Sequence, residues 1–189
     1  MLEKLRSLDV DLFVFLNGLG SETFDPSWLL ITKQINWLPV FLLLLYLVYS
    51  KIGMKQTLYV LLFVALLVAF TDQVTNLFKN GFQRLRPCNN TDINSFIRVV
   101  QQRNSFSFFS GHASNSMAVA TFLFFIFRNY YKYPALLFLW PLIFAYSRIY
   151  LGLHYPLDIL TGYLFGVING YLVFKTYSHF QKKYFPLMA

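Results

Sequence analysis

Three short segments of the sequence carry most of the side chains that could do chemistry. They cover residues 79–86, 110–112 and 147–158, and long apolar stretches separate them. Together they supply two histidines, three cations, one carboxylate and a Ser-Gly pair: Lys79, Arg86, Ser110, Gly111, His112, Arg148, His154 and Asp158. Three cations with few acids nearby would bind a multiply charged anion, and the planar fork of arginine fits phosphate oxygens. The set therefore predicts a site for a phosphate group.

The two histidines give this set its reactivity. His154 and Asp158 are four residues apart, and Pro156 between them is suited to the first position of a helix. In that turn the carboxylate accepts a hydrogen bond from one imidazole nitrogen, which fixes the tautomer and leaves the other nitrogen basic. His112 starts a neighbouring apolar stretch, where it could give a proton to a leaving group. A His–His–Asp metal site is the alternative, but the nearby cations would oppose a divalent ion, so we expect no metal and no other cofactor.

The composition indicates that the elements holding these residues are membrane helices. The chain is 57% hydrophobic and 13% charged, whereas a soluble domain has about 25% charged residues. Five apolar stretches are each close to the roughly 20 residues that a helix needs to cross a bilayer: 28–50, 56–78, 112–131, 133–152 and 157–178. We therefore predict an all-α integral membrane bundle of about five transmembrane helices, forming one domain over residues 1–189. The single cysteine, Cys88, excludes an internal disulfide, and we interpret it as an ordinary loop thiol.

The first segment of the chain differs from the predicted spans. Residues 2–19 mix five charged side chains with leucine, valine and phenylalanine, which makes the segment too polar to cross a membrane. It also lacks the compact apolar core of a signal peptide. We predict a helix lying at the membrane surface.

The basic residues of the short loops predict the orientation. Most of the lysines and arginines outside the chemical segments lie near the junction of the first and second spans, near that of the third and fourth, or at the end of the chain: Lys51, Lys55, Arg128, Lys132, Lys175, Lys182 and Lys183. Five spans place these groups on one side, which the positive-inside rule makes cytoplasmic. All three chemical segments then lie together on the outer side. We expect a bacterial inner-membrane protein whose site faces the periplasm or exterior.

The net charge of +8 also raises nucleic-acid binding as an alternative. The cations form no continuous run, however, and Lys182-Lys183 is the only adjacent basic pair. We therefore expect the bilayer and a lipid as partners, and no nucleic acid. Nothing in the sequence predicts an oligomeric state.

Each of the chemical residues also has an ordinary structural role open to it. Lys79 could anchor a helix end, Ser110 could cap a helix, and Arg86 could be a loop charge. In phosphate binding, Ser110 would offer its hydroxyl, Gly111 a close backbone approach, and the following helix its unpaired N–H groups. Their convergence on one face of the membrane favours the phosphate site.

An acid inside the second predicted span is a further candidate. Asp72 forms a stripe with Asn76 and Lys79 at helical spacing, which predicts that it faces the interior of the bundle. We interpret it as a structural partner of a neighbouring basic or polar group, in preference to a direct role in catalysis.

The order and spacing of the three segments resemble a known signature. Residues 79–87 read K-x6-R-P, residues 109–112 resemble P-S-G-H with Phe109 in place of the proline, and residues 147–158 read S-R-x5-H-x3-D. In this order the set is similar to the signature of the type 2 phosphatidic acid phosphatase (PAP2) superfamily, which also includes the vanadium haloperoxidases. The haloperoxidases are soluble, so the five predicted spans favour the membrane lipid phosphatase branch.

The resemblance implies a metal-independent phosphatase with a phosphohistidine intermediate. It implies that His154 is the nucleophile, that Asp158 orients it and that His112 protonates the leaving oxygen. It also implies a set of phosphate ligands: Lys79, Arg86, Ser110, Gly111 and Arg148.

The implied substrate is a lipid phosphate or diphosphate. Undecaprenyl diphosphate, phosphatidylglycerol phosphate, phosphatidic acid and lipid A phosphates all belong to the substrate classes of the family, and residues 89–109 do not select among them. A membrane transporter or anion-binding protein with the same polar cluster is the alternative function. Such proteins usually place their site near the bilayer midplane on broken helices, whereas this cluster lies at the ends of the spans.

Overall fold

The computed structural model describes residues 2–185, and the regular elements in that range are all helices. Six α-helices follow one another along the chain: α1 Leu2–Gly18, α2 Asp25–Ile31, α3 Leu38–Phe82, α4 Gly111–Phe127, α5 Leu139–Tyr150 and α6 Pro156–Tyr184. Short 3-10 helices lie at Glu22–Phe24, Gln34–Trp37, Pro87–Asn89 and Pro134–Phe138. The prediction of an all-α bundle is confirmed.

The 45-residue α3 holds two of the predicted spans, joined by a break at Gly53. Gly53 has φ 74° and ψ 172°, a non-helical conformation that a residue without a β carbon adopts readily. Gln34 and Asp72, each 19 residues from Gly53, border the same cavity. The chain therefore reverses at Gly53, and residues 38–52 and 54–82 form a helical hairpin.

The predicted first span, 28–50, is wrong as a single helix. α2 ends at Ile31, a 3-10 turn follows Lys33, and α3 begins only at Leu38. The polar side chains of this break bond the carbonyls that α2 leaves free: Asn36 Nδ2 donates to Leu30 O at 2.7 Å and Trp37 Nε1 donates to Ile31 O at 2.8 Å. Pro39 consequently lies in the first turn of α3, where its missing N–H costs little, and does not kink the middle of a span.

The remaining spans differ in length. The long helical stretch from Gln34 to Asn89 and α6 are both long and apolar enough to cross a bilayer. The 17-residue α4 ends at Phe127, four residues before the predicted end of its span, and the fourth span begins with the 3-10 turn before α5. At 1.5 Å per residue α4 is about 26 Å long, slightly less than the roughly 30 Å of hydrocarbon.

α4 lies at the centre of the bundle and packs very closely against α6. Three glycines recur every four residues along α6: Gly162, Gly166 and Gly170. A β carbon added at any of the three would lie 2.5–2.8 Å from a backbone oxygen of α4. Small residues at this spacing let two membrane helices approach backbone to backbone. This contact sets the beginning of α6 beside the beginning of α4.

The helix α1 covers the end of the bundle where α5 ends and α6 begins. One side of α1 docks on the protein through Asp9, Phe13 and Asn17, which are all buried. Asn17 Nδ2 donates to three backbone carbonyls at 3.0 Å, and the Phe13 ring packs edge-on against Tyr155. The other side exposes an apolar stripe of Leu5, Leu8, Leu12, Phe15 and Leu19. An exposed apolar stripe on a docked helix is typical of a helix that lies in the membrane interface.

The close approach of α4 and α6 makes Gly166 intolerant of a side chain. In Gly166→Ala the new methyl group would lie 2.6 Å from Ser114 O, so the helices must separate, which costs about 1–3 kcal/mol. We expect the thermal unfolding midpoint in detergent to fall by about 2–12 °C. Gly81→Ala is the matched control, because a β carbon there meets nothing within 4 Å. An equal midpoint for the two variants would contradict the packing described here.

Candidate active site

A polar cavity of about 170 Å³ lies where α3 ends, α4 begins, α5 ends and α6 begins. Six of the eight predicted site residues line it: Lys79, Arg86, Gly111, His112, Arg148 and His154. The other two, Ser110 and Asp158, lie directly behind this lining and are fully buried. The structure thus brings together residues that are up to 79 positions apart in the chain (158 − 79).

His154 lies in the connection between α5 and α6 with 1% of its surface exposed. Its Nδ1 is 3.4 Å from Asp158 Oδ2. The same carboxylate oxygen accepts hydrogen bonds from Ser107 Oγ and, at 2.9 Å, from Tyr155 N. The helix α6 begins at Pro156, as the sequence predicts, so Asp158 lies in its first turn. Nδ1 therefore faces the carboxylate, and Nε2 faces Arg86 at the cavity.

The environment of His154 keeps its imidazole uncharged. Burial lowers the pKa of His154 well below its usual 6.5, and the charges of Arg86, Arg148 and Lys79 lower it further. The single imidazole proton belongs on Nδ1, which faces a carboxylate, since Nε2 lies 3.0 Å from the guanidinium Nη1 of Arg86. A neutral imidazole with its Nε2 lone pair at the cavity is the form that can attack phosphorus.

Arg86 and Arg148 are both buried, with 3% and 2% of their surfaces exposed. Arg86 is held by Ser105, whose carbonyl accepts from Nε at 2.6 Å and whose hydroxyl accepts from Nη2 at 3.0 Å. Arg148 donates to Thr32 Oγ1, while its Nε has no partner among the described residues. Within residues 2–185 neither guanidinium forms an ion pair with a carboxylate. The positive charge at the cavity is therefore available to an anionic ligand.

The beginning of α4 supplies the other predicted residues. The His112 ring stacks on Phe144 with 4.9 Å between the ring centroids, which fixes its direction toward the cavity. Ser110 is the N-cap of α4, and its Oγ accepts from Ala113 N at 3.4 Å. Its own N–H donates to Asp158 O at 3.0 Å. Ser110 therefore has the capping role that the sequence left open. It lies behind Gly111, which lines the cavity.

The prediction that Asp72 faces the bundle interior is wrong. Asp72 and Asn76 are exposed on the surface of α3, although Asp72 also borders the cavity. Its predicted polar partner is Asn76, whose Nδ2 donates to Asp72 Oδ2 at 3.1 Å. Asp72, Asn76 and Lys79 do lie along one side of α3, as their spacing predicts. This arm of the hairpin is at the edge of the bundle, however, so part of that side is exposed.

Phe109 and Cys88 lie close to the motifs in the sequence, and both are buried. Phe109, at the position of the usual proline, is buried against Phe78 and Phe165 with ring centroids 5.2 and 5.1 Å apart. It displaces none of the polar groups of the cavity. Cys88 is buried against Tyr150 and Leu151, so it is a packed thiol in the connection between α3 and α4.

Several residues of the site were missed by the sequence reasoning. Seven further polar side chains border the cavity or hold its members: Thr32, Gln34, Arg84, Arg103, Ser105, Ser107 and Asn115. Arg84 lies inside the K-x6-R-P segment, where its position among the variable residues gave no signal. Ser105 and Ser107 lie in a loop without periodicity, so nothing in the sequence placed them beside His154 or Arg86.

A comparison with protein families matches the PAP2 superfamily over residues 56–182. The chain belongs to the PAP2 superfamily. This stretch is 127 of the 189 residues (182 − 56 + 1) and contains all eight predicted site residues.

Individual PAP2 relatives agree with this assignment. A lipid A 4'-phosphatase of Bacteroides thetaiotaomicron is 34% identical over 92% of this chain and 79% of its own length. A lipid A 4'-phosphatase of Porphyromonas gingivalis is 30% identical over 97% of this chain and 78% of its own length. The fold is similar to that of a transmembrane PAP2 phosphatidylglycerolphosphate phosphatase from Bacillus subtilis, with a TM-score of 0.72 and 18% identity over 98% of this chain and 90% of the other.

These relationships establish that the protein is an integral membrane phosphatase acting on a lipid substrate. The predicted family, fold class and enzyme class are confirmed. The alternative of a transporter or anion-binding protein is not favoured.

The depressed pKa of His154 predicts its behaviour in acid. Because the folded protein holds this imidazole neutral, its ¹⁵N NMR signals should keep the neutral pattern as the pH falls through 6.5. The unfolded chain binds a proton there, so this residue's contribution to stability is present above about pH 6.5 and declines as the pH falls toward the folded pKa. The His154 signals are assigned by their absence in His154→Ala. Titration of His154 at its ordinary value would show that the site is less buried than described.

Proposed function

We propose that this PAP2 enzyme removes a phosphate group from lipid A through a covalent phosphohistidine on His154. The observation that carries the reaction is the position of the neutral His154 imidazole, whose Nε2 lies beside Arg86 Nη1 in a cavity with unpaired cations. The choice of lipid A, and of its 4' phosphate, is supported by the two lipid A 4'-phosphatases to which the chain is similar over nearly its whole length.

In the first step the Nε2 lone pair of His154 attacks phosphorus. The bond between phosphorus and the lipid oxygen breaks, its electron pair stays on that oxygen, and His112 supplies the proton. Asp158, 3.4 Å from Nδ1, stabilises the positive charge that forms on the imidazole. In the second step water attacks the phosphohistidine, the P–N bond breaks, and its electrons return to Nε2 while His112 takes back a proton.

The cations hold the phosphoryl group through both steps. We propose that Lys79, Arg86 and Arg148 bind its equatorial oxygens, together with the backbone N–H groups at Gly111 and the first turn of α4. Ser110 contributes through this turn, which its side chain caps. The free Arg148 Nε is directed to such an anion, since it has no partner among the described residues.

We also propose that the site faces the periplasm of a bacterial inner membrane. The tip of the α3 hairpin and the α4–α5 connection lie at the opposite end of the bundle from the cavity, and their basic residues suit the cytoplasmic side. On the cavity side, Lys79, Arg86 and Arg148 are the proposed phosphate ligands, while Arg84 and Arg98 are paired with carboxylates.

The activity is tested by phosphate release from detergent-solubilised lipids with EDTA present. The panel contains lipid A, phosphatidic acid, phosphatidylglycerol phosphate and undecaprenyl diphosphate. We expect release from lipid A that EDTA leaves unchanged, because the proposed mechanism uses imidazole and cations and no metal ion. His154→Ala should abolish turnover, whereas His179→Ala, which changes the exposed histidine of α6, should retain it. Release from another lipid alone would overturn the proposed substrate, and sensitivity to EDTA would overturn the mechanism.

The role of His112 is tested with leaving groups of different basicity. His112→Ala should reduce kcat by roughly 100–10,000-fold on a lipid alcohol, which departs poorly without a proton. The loss should be much smaller on an activated aryl phosphate, because its leaving group departs as the anion. An equal loss for the two substrates would exclude His112 as the general acid.

A further inference from the structure

A buried carboxylate of α1 is not used by the proposed mechanism. The Asp9 side chain is fully buried, although it comes from a helix that otherwise carries its charges on the surface. Its Oδ2 accepts from Arg84 Nη2 at 2.6 Å, and its Oδ1 accepts from Leu157 N at 2.8 Å. Leu157 lies in the first turn of α6, directly before Asp158. Asp9 therefore fixes both Arg84 and the start of the helix that carries Asp158.

Arg84 joins Asp9 to Asp158. While Nη2 contacts Asp9, the other terminal nitrogen, Nη1, donates to Asp158 Oδ1 at 2.8 Å. The guanidinium lies over the Tyr155 ring with 3.9 Å to the ring centroid, which holds its plane. A single guanidinium thus bridges two fully buried carboxylates with two separate nitrogens in a fixed plane, whereas a lysine ammonium has one nitrogen to offer.

The Arg84 bridge determines which carboxylate oxygen of Asp158 faces His154. Because Arg84 occupies Oδ1, the other oxygen, Oδ2, is the one that accepts from Ser107 and faces His154 Nδ1. Removal of the guanidinium would leave two buried carboxylates without a counter-charge, so that one would take up a proton or turn away. Either change removes the carboxylate from Nδ1 and from the Ser107 hydroxyl, which lies 3.3 Å from Nδ1 and donates to the same carboxylate oxygen.

We propose that Asp9 and Arg84 are positioning residues of the phosphatase, which act on His154 through Asp158. Neither lines the polar cavity that holds His154, so neither contacts the phosphoryl group. The interfacial helix α1 is accordingly part of the catalytic apparatus. This inference rests on the proposed function, since it concerns the orientation of the proposed nucleophile.

The test compares kcat and KM for lipid A hydrolysis in Asp9→Asn and Arg84→Gln. We expect kcat to fall about 10–100-fold in each, the cost of a misplaced reacting group, while KM stays within about twofold because the phosphate ligands are untouched. Arg84→Lys keeps the positive charge but loses the fork, and should lose less activity than Arg84→Gln.

Asp25→Asn is the matched control. Asp25 accepts from Arg98 Nη2 at 2.9 and 3.0 Å and ties another N-terminal helix, α2, to the outer loop. It has no contact with Asp158. A purely structural role for such pairs would make Asp9→Asn and Asp25→Asn equivalent, which would overturn the inference. We expect Asp25→Asn to keep kcat within about twofold of wild type.

A double variant separates positioning from general damage. In the Asp158→Asn background, Asp9→Asn should cause little further loss of kcat, because the group through which Asp9 acts has gone. Losses that multiply would overturn the inference while wild-type turnover and the His154→Ala loss still support the proposed function. Absence of lipid A hydrolysis by the wild type would overturn the proposed function, and this inference with it.

Discussion

The structure depends on three cations that surround an uncharged imidazole and form no ion pair with a carboxylate of residues 2–185. Burying a cation is costly unless an anion or hydrogen bonds compensate it. Here Arg86 is compensated by carbonyl and hydroxyl groups, and Arg148 only in part, so both remain ready for an external anion. Burial, together with the same charges, lowers the pKa of His154 and keeps it neutral, which makes the proposed anion site and the proposed nucleophile parts of one arrangement.

The fold is organised to keep this arrangement together at one end of a membrane bundle. The glycine stripe of α6 allows α4 to approach closely, which brings the start of α6 beside the start of α4. Because the chain reverses at Gly53, the second arm of α3 carries Lys79 to the same end of the bundle. Each helix contributes only one or two site residues at its terminus. Long apolar helices thus supply the stability, while their ends and connections supply the chemistry.

The sequence predicts which residues gather at the cavity because its three motifs are local and its polar residues are rare. His154 lies two residues before α6 and Asp158 lies in its first turn, so the short sequence separation keeps the two side chains close. The features that the sequence does not predict also have physical explanations. The break at Lys33 is not evident from the sequence because residues 28–50 are apolar on both sides of it. Asp9 and Arg84 are 75 residues apart, and a charge on an amphipathic helix is usually solvated, so nothing local revealed their ion pair.

The central claim is that the His154 imidazole itself becomes phosphorylated within the cation cluster. The most direct measurement is peptide mass spectrometry of wild-type enzyme quenched in alkali during turnover of saturating lipid A, conditions under which phosphohistidine survives. The account predicts one phosphoryl group on the peptide that contains His154, at its imidazole. A phosphoryl group on a different residue, or none on the protein while substrate is being hydrolysed, would contradict it.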